Sequence, residues 1–348
     1  MPTANIVYWY GLKDMPRDGG GLRAIAWNDA LTELGFKTSV HALRSVALGP
    51  SSKNLLRAIK KQLIPMPLAS SLPLMAPADL NVVTVPAVFS SAVSMLDQSS
   101  LVFDWMDLWS VNALTMGRSS WMSRPGGIIQ SKVWARRQRA LVTRPAANIF
   151  AGYEDHESTE VTGSAPGFWI PTPISAAQRA WPQPTRAVRR VGFIGNFVYP
   201  PNVMSLKDFF DKYGRIFLDK GIEIYVAGFG SEVVTTWGVN ATVLGKVESL
   251  AAFYGSIDAV IVPIDHGGGI KAKAVEAMAY GIPVYGTSHV ASGFSPEWRR
   301  FIGDIDDLLR TGAITIPTPS KQEFSTIFSQ AAFTAAVARV VDLVKPNV

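Results

Sequence analysis

The sequence predicts an α/β protein with two Rossmann-like, doubly wound parallel sheets. Strand-like apolar runs alternate with helix-like segments along the chain, a pattern typical of parallel α/β sheets. With 348 residues the chain is longer than a single hydrophobic core usually supports, so we expect two domains. Residues 265–284 have the pattern of a strand end, a glycine loop, a helix and a further strand, an order that suits ligand binding at a parallel sheet.

The elements of the first half define an N-terminal domain over residues 1–173. Helices are expected over 21–34 and 128–142, where apolar residues recur at helical spacing. The expected strands span 5–10, 37–43, 80–86, 101–105 and 148–151. Residues 174–189 are rich in alanine, proline and arginine and lack apolar periodicity, so we assign them to a linker.

The second half predicts a C-terminal domain over residues 190–320. Its first strands are expected at 190–196, 223–230 and 258–264. Residues 321–348 have helical periodicity, and we expect them to form a C-terminal helix that packs back on the N-terminal domain.

The composition excludes several classes of protein. Hydrophobic residues make up 48% of the chain and charged residues 17%, which excludes global disorder. The absence of cysteine excludes disulfides, thiolate zinc sites and a thiol nucleophile. The N-terminus has no secretion signal, and prolines interrupt the apolar segment 62–96, so we expect no transmembrane helix and a cytoplasmic location.

Basic residues cluster at 53–64 and 118–144, in a chain of net charge +6 and pI near 9.4. The first cluster places apolar residues at helical spacing beside lysine and arginine, which indicates a peripheral contact with an anionic membrane, such as the inner face of the plasma membrane. An ordinary surface helix packed on the core is the alternative. Nucleic acid is not an expected partner, because no aromatic-basic recognition module of a known type is present.

The glycine loop and its helix suit a nucleoside diphosphate. The three glycines at 267–269 let backbone amides approach a phosphate, and the following helix presents unpaired N–H groups and the positive end of its dipole. Lys271 and Lys273 add positive charge, and Glu276, one turn farther on, can accept hydrogen bonds from ribose hydroxyls. The alternative is a flexible turn followed by a solvated Lys273–Glu276 pair.

These residues resemble the GT-B glycosyltransferases, most closely the glycosyltransferase family 4 or group 1 type. The resemblance is carried by 191–196 with the Pro-Asn step at 201–202, by 226–230 and by 266–283. It implies a GT-B fold whose two domains face each other across a cleft. It also implies transfer of a sugar from a nucleotide-diphosphate-sugar to a lipid-linked, polysaccharide or other glycoconjugate acceptor, without a metal or a cofactor other than this co-substrate.

The resemblance also assigns site residues. The implied donor-binding residues are Gly20, Gly21, Asn196, His266, Gly267, Gly268, Gly269, Ile270, Lys271, Lys273 and Glu276. The glycines of 19–21 match the N-domain glycine loop of the family, and they also fit a dinucleotide fingerprint. We do not expect a dinucleotide, because the first of these glycines comes nine positions after the end of the first strand at Tyr10 and no acidic residue closes the second strand.

Asp104 and Asp107 resemble the Asp-containing strand end that this kind of transferase places in its cleft. Two carboxylates at the carboxyl end of a strand can orient hydroxyls or take the proton of an acceptor, so both are expected to be catalytic. A capping aspartate and a surface aspartate are the alternative. The spacing is not that of an Asp-x-Asp metal motif, and no metal site is expected.

Two other functions remain open. A hydrolysing nucleotide-sugar epimerase of GT-B-like fold would share the cleft and use water as the acceptor. A non-catalytic sugar or lipid-phosphate binding module is indicated by Gly268, which stands where the retaining family has a glutamate. The donor sugar, its base, the acceptor and the anomeric outcome also remain open.

Overall fold

The computed structural model describes residues 1–16, 18–43, 71–117, 124–159, 165–175 and 187–344. The described chain forms two compact units. The first comprises Met1–Pro173, Gly267–Gly269 and Phe328–Val348, and the second comprises Ile174–His266 and Ile270–Ile327. Each unit contains one six-stranded parallel sheet, so the predicted α/β class is confirmed. The basic segment 53–64 lies outside the described residues.

The first unit has the strand order β2-β1-β3-β4-β5-β6. The strands are β1 Thr3–Tyr8, β2 Lys37–Ala42, β3 Leu80–Val83, β4 Leu101–Trp105, β5 Ala147–Phe150 and β6 Gly167–Trp169. The helices are α1 Gly19–Glu33, α2 Phe89–Met95, α3 Trp109–Gly117, α4 Arg124–Leu141 and α5 Tyr153–Thr159. Strands β3, β4 and β5 are buried along their whole length, as expected for parallel strands covered on both faces.

The second unit has the strand order β12-β11-β10-β7-β8-β9. The strands are β7 Arg190–Ile194, β8 Glu223–Ala227, β9 Thr242–Gly245, β10 Ala259–Val262, β11 Val284–Gly286 and β12 Ile302–Asp304. The helices are α6 Pro200–Phe209, α7 Arg215–Asp219, α8 Leu250–Gly255, α9 Ala272–Ala279, α10 Ser288–Ser292, α11 Ile305–Thr311 and α12 Lys321–Phe328. A π-helical turn, Phe210–Gly214, joins α6 to α7.

The chain reverses its direction of travel across the second sheet between β7 and β10. From β7 it proceeds to β8 and β9 on one side, and from β10 it proceeds to β11 and β12 on the other. The loops 195–199 and 263–271 therefore leave two neighbouring strands in opposite directions. Open α/β sheets bind ligands in the crevice that such a divergence creates, at the carboxyl ends of the strands.

A final helix, α13 Gln330–Val344, packs on α1 within the first unit. Phe333 meets the ring of Trp27 edge-on at 5.6 Å, and Gln330 Nε2 donates to the carbonyl of Ala26 at 3.1 Å. The segment Lys321–Val344 is long and apolar enough to span a membrane by length and composition, which the sequence analysis did not recognise. Because the apolar side of α13 lies in the core of the first unit, its packing accounts for this composition.

A buried ion pair holds the first unit together. Arg23 on α1 binds Asp104 on β4 through both carboxylate oxygens, with Nε 2.7 Å from Oδ2 and Nη2 2.8 Å from Oδ1. Trp27 Nε1 donates to the same carboxylate at 2.6 Å, and Arg23 Nη1 donates to the carbonyl of Ile170 at 2.8 Å. Asp104 is fully buried. These contacts give Asp104 a structural role in the first unit, while the catalytic role expected of it stays a prediction.

Asp104→Asn is expected to destabilise the first unit by about 3–5 kcal/mol, because the guanidinium of Arg23 then stays buried without its counter-charge. The control is Asp219→Asn, which breaks the exposed Arg215–Asp219 pair on α7 and should change stability little. Thermal unfolding followed by circular dichroism measures both. An Asp104→Asn protein that unfolds like the wild type but has lost activity would contradict the structural role.

Candidate functional site

The polar residues at the divergence of β7 and β10 lie mainly on α9. Lys273, Glu276 and Tyr280 are three and four positions apart, so they share one side of the helix, and each is partly exposed. The opposite side packs on β10 and β11 and consists of Ala274, Val275, Ala277, Met278 and Ala279. Alanine and methionine favour the helix, and the apolar side fixes which residues face outwards.

Lys273 connects α9 to the elements that follow β7. Its Nζ donates to Asn202 Oδ1 at 2.7 Å, and Asn202 Nδ2 donates to the carbonyl of Asn196 at 2.8 Å. The Nζ also lies 4.3 Å from the ring centroid of Phe193 in β7, within range of a cation–π interaction. Asn202 itself is buried in the first turn of α6. The link joins the two loops at the point where the sheet diverges.

Burial changes the protonation of Lys273. It lowers the pKa of the ammonium to about 7, and the neighbouring charge on Lys271 lowers it further, while Glu276 acts in the opposite direction. Near neutral pH the side chain is therefore present in both charge states. A bound anion would favour the protonated state, so a phosphate and a proton are expected to bind to Lys273 together.

Glu276 is held by a tyrosine that the sequence analysis did not select. Tyr254 in α8 is fully buried, and its Oη donates to Glu276 Oε1 at 2.6 Å. The Tyr254 ring stacks on Tyr280 with centroids 4.6 Å apart. Burial raises the pKa of Glu276, whereas the Tyr254 hydrogen bond and the charge of Lys273 oppose this shift. Burial and the Glu276 charge raise the pKa of Tyr254 well above its usual value, so its hydroxyl remains a donor.

The glycine loop has two positions that require glycine. Gly267 and Gly269 have φ angles of 96° and 70°, in the left-handed region that side chains rarely adopt. The loop belongs to the first unit, where Gly268 N donates to Asn112 Oδ1 at 3.1 Å and Gly269 N donates to Asp155 Oδ2 at 2.6 Å. The amides of Gly268 and Gly269, which the sequence predicted to bind a phosphate, donate here to a side-chain amide oxygen and to a carboxylate.

The other predicted residues of this segment lie around the start of α9. His266 is buried, with its Nδ1 against the carboxylate of Asp265 and its Nε2 without a partner in the part of the chain that the structure describes. Ile270 and Lys271 are partly exposed immediately before α9, and the Lys271 side chain does not cap the helix. Asn196 is exposed, and its Oδ1 accepts from the amide of Val198 at 2.9 Å.

Gly20 and Gly21 have a structural reason to be glycine. Gly21 N donates to Asp18 Oδ1 at 2.9 Å, which caps α1, and a Cβ at this position would collide with the carbonyl of Pro16. A Cβ on Gly20 would lie 2.5 Å from Tyr8 Oη at the end of β1. The two glycines therefore let α1 start close to the first strand, which accounts for them without a donor.

Of the two expected catalytic carboxylates, Asp107 alone is partly exposed. It lies in the turn between β4 and α3, three residues beyond the buried Asp104. Among the described residues there is no cluster of three histidine, cysteine, aspartate or glutamate side chains that could hold a metal ion.

The contacts of Lys273 and Glu276 form what we call the α9 network. Four of its residues were not predicted from the sequence: Asn202, Phe193, Tyr254 and Tyr280. Asn202 belongs to the Pro-Asn step that carried the family resemblance, and that step was the available signal. Phe193 and Tyr280 lie in two other segments that carried the resemblance, 191–196 and 266–283. Tyr254 had no such signal, because its pairing with Glu276 depends on α8 lying beside α9 in the folded unit.

Comparison with known structures shows a common fold. HepE from Anabaena, solved with UDP-glucose, is 12% identical and matches with a TM-score of 0.59, over 98% of this chain and 100% of HepE. The α,α-trehalose 6-phosphate synthase of Burkholderia multivorans is 12% identical with a TM-score of 0.58, and 98% of each chain is covered. TarM is 11% identical with a TM-score of 0.52.

The match to TarM is partial. It covers 76% of this chain and 54% of TarM, so the chain spans about half the length of that protein. A search of curated proteins finds no match. Residues 188–309 match the family described as Glycosyl transferases group 1. The second unit thus carries the sequence pattern of glycosyl transferases group 1, and the chain has the GT-B fold of its glycosyltransferase neighbours.

Proposed function

We propose that the protein is a glycosyltransferase that binds a nucleoside-diphosphate sugar at the second sheet and transfers the sugar to an acceptor. The observation that carries this proposal is the link from Lys273 through Asn202 to Asn196, which spans the divergence of β7 and β10. The match of residues 188–309 and the GT-B fold support it, as does the UDP-glucose bound to the structural neighbour HepE.

The α9 network has the chemistry that a nucleoside diphosphate needs. As the bond to the sugar breaks, negative charge develops on the departing diphosphate. The ammonium of Lys273, the nearby Lys271 and the N-terminal end of α9 supply positive potential for that charge. Glu276, held by Tyr254, supplies a carboxylate for ribose hydroxyls one helical turn away. Because the two lysines supply this charge, we propose a reaction that needs no metal ion or additional cofactor.

For the acceptor we propose only a chemical class. We propose a lipid-linked or other glycoconjugate acceptor, with Asp107 as the carboxylate that orients it or takes its proton. Asp107 is preferred to Asp104 because it is partly exposed, whereas Asp104 is engaged by Arg23 and Trp27.

A donor panel with a lysine variant tests the function. UDP-, GDP-, dTDP- and ADP-sugars are compared by thermal shift, and the donor that stabilises the protein is then used for product analysis. Lys273→Met is expected to remain as stable as the wild type, because methionine fills the space without a buried charge, and to lose at least tenfold in donor affinity. The control is Lys220→Met, an exposed lysine of the same unit.

The products of the same assay separate the rival functions. Release of nucleotide only when an acceptor is present supports the transferase, and a free epimerised sugar from donor and water supports the epimerase. Binding without nucleotide release with any acceptor tried would support a binding module. A donor affinity of Lys273→Met equal to that of the wild type would contradict the assigned diphosphate site.

Donor binding is expected to weaken as the pH rises above about 7. The free protein holds Lys273 with its pKa near 7, and the bound diphosphate raises that pKa. Binding therefore takes up a proton, and the affinity should fall by up to about tenfold per pH unit between the free and bound pKa values. Isothermal titration in two buffers of different ionisation enthalpy, from about pH 6 to 8.5, measures the proton uptake.

Two variants check the origin of this pH dependence. Lys273→Met should abolish it. Asn202→Asp should raise the pKa of Lys273 by supplying a carboxylate, and should weaken donor binding throughout the range. The ligand-free wild type should show the opposite slope in stability: the unfolded chain binds more protons between pH 7 and 10.5, so this lysine makes folding more favourable as the pH rises. Proton uptake that persists in Lys273→Met would contradict the assignment.

Tyr254→Phe is expected to lower donor affinity about tenfold and to lower the free energy of unfolding by about 1.5–3 kcal/mol. The variant removes the hydrogen bond that holds the Glu276 carboxylate and opposes the rise of its pKa on burial, and a hydrogen bond to a charged group contributes about 1.5–3 kcal/mol. The control is Tyr225→Phe, because Tyr225 Oη donates to an exposed carboxylate, Glu223, at 3.0 Å in the same unit. Equal donor affinities in the two variants would exclude a positioning role for Tyr254.

A further inference from the structure

Helix α4 exposes several apolar side chains to solvent and buries two glutamines. Ile129 is 63% exposed and Ile128 is 43% exposed, whereas Gln130 and Gln138 are buried. Val133, one turn farther on, is exposed as well. Three exposed aliphatic residues and two buried glutamines depart from the usual distribution for a helix on the surface of a globular domain. Contiguous exposed apolar residues of this kind mark an interaction surface.

The orientation of α4 is fixed by its packing. Trp134 is fully buried and meets the ring of Trp109 edge-on with centroids 4.9 Å apart. A Cβ on Gly127 would lie 2.6 Å from Gly117 Cα, so α3 and α4 cross in close contact. Gln138 Oε1 accepts from a backbone amide of α3 at 2.9 Å. These contacts with α3 therefore fix which side of α4 faces the solvent.

The outward side is also strongly basic. Its exposed residues recur at helical spacing and comprise Arg124, Pro125, Ile128, Ile129, Lys132, Val133, Arg136, Arg139 and Ala140. No acidic residue occurs in Arg124–Leu141. The side thus combines three exposed aliphatic residues with four exposed cations, and none of these charges is balanced from within the helix.

We propose that this side of α4 is a docking surface for an anionic lipid bilayer. Ile128, Ile129 and Val133 would enter the boundary between headgroups and acyl chains, while the flanking cations contact lipid phosphates. Long basic side chains suit this position, because their methylene stems cover apolar surface while the charges stay in water. The surface is complementary to a bilayer in both respects, since a bilayer offers negative charge at its surface and apolar volume beneath it.

The inference is independent of the proposed donor site. Helix α4 belongs to the first unit, and the α9 network belongs to the second. Residues 118–123, which begin the basic segment 118–144 of the sequence analysis, and the cluster 53–64 lie outside the described residues. The proposal rests on 124–141 alone. It would bring the protein to a surface where lipid-linked acceptors reside.

The test is co-sedimentation of the full chain with vesicles. Phosphatidylcholine vesicles are compared with vesicles that also contain phosphatidylglycerol, at low and high salt. We expect the wild type to bind only the anionic vesicles, with an affinity that falls as salt increases. The triple variant Lys132→Gln, Arg136→Gln, Arg139→Gln should have at least tenfold lower affinity for the anionic vesicles. The triple variant Ile128→Ser, Ile129→Ser, Val133→Ser should also bind more weakly but keep the salt dependence.

A matched control removes exposed cations elsewhere. The variant Arg215→Gln, Lys220→Gln, Arg310→Gln carries the same change in net charge on the second unit and should bind like the wild type. All variants should retain the wild-type circular dichroism and donor-induced thermal shift. Equal binding of the wild type and both α4 variants would overturn the proposal, as would equal loss in the control, which would indicate a response to net charge. Failure of the wild type to bind anionic vesicles would also overturn the proposal, and it would favour a protein partner for this side of α4.

Discussion

The divergence of β7 and β10 is the constraint on which the candidate site depends. β7 and β10 are neighbours in the sheet, but the chain continues from them towards opposite edges of the sheet. The loops that follow the two strands therefore separate and leave a crevice between them. The space between the loops must be bridged by side chains or filled by a ligand. In the second unit Lys273 and Asn202 form that bridge, and the residues on the partly exposed side of α9 surround it.

Arg23 and Lys273 show how the partner of a cation determines its role. Arg23 meets the carboxylate of Asp104, so its charge is compensated within the fold and the pair holds α1 to β4. Lys273 meets the amide of Asn202 and the face of Phe193, neither of which carries a negative charge. Desolvation of a charge that is not in a direct ion pair is costly; it lowers the pKa of Lys273, and the charge of Glu276 opposes this shift. An anionic ligand would offset this desolvation cost, so Lys273 is better suited to bind a ligand than to stabilise the fold.

The sequence allowed a more complete prediction of the fold than of the contacts in the candidate site. Long periodic segments and apolar strands were recognisable because their spacing is local, as in α1 and β4. Interactions between distant segments were not recognisable, as for Tyr254 with Glu276 or Arg23 with Asp104. The glycines were ambiguous for another reason: the collision that makes Gly21 necessary involves a backbone carbonyl, which has no signature in the sequence.

The π-helical turn between α6 and α7 has a consequence for Asn202. The buried positions along this helical stretch, among them Pro201, Ser205, Phe209, Tyr213 and Phe217, recur every fourth residue. In a regular α-helix such a repeat rotates by about 40° at each step, so the last members would turn away from the sheet. One wider turn absorbs much of this rotation. The helical stretch can therefore seat aromatic residues on the sheet at one end while it keeps an amide beside an ammonium at the other.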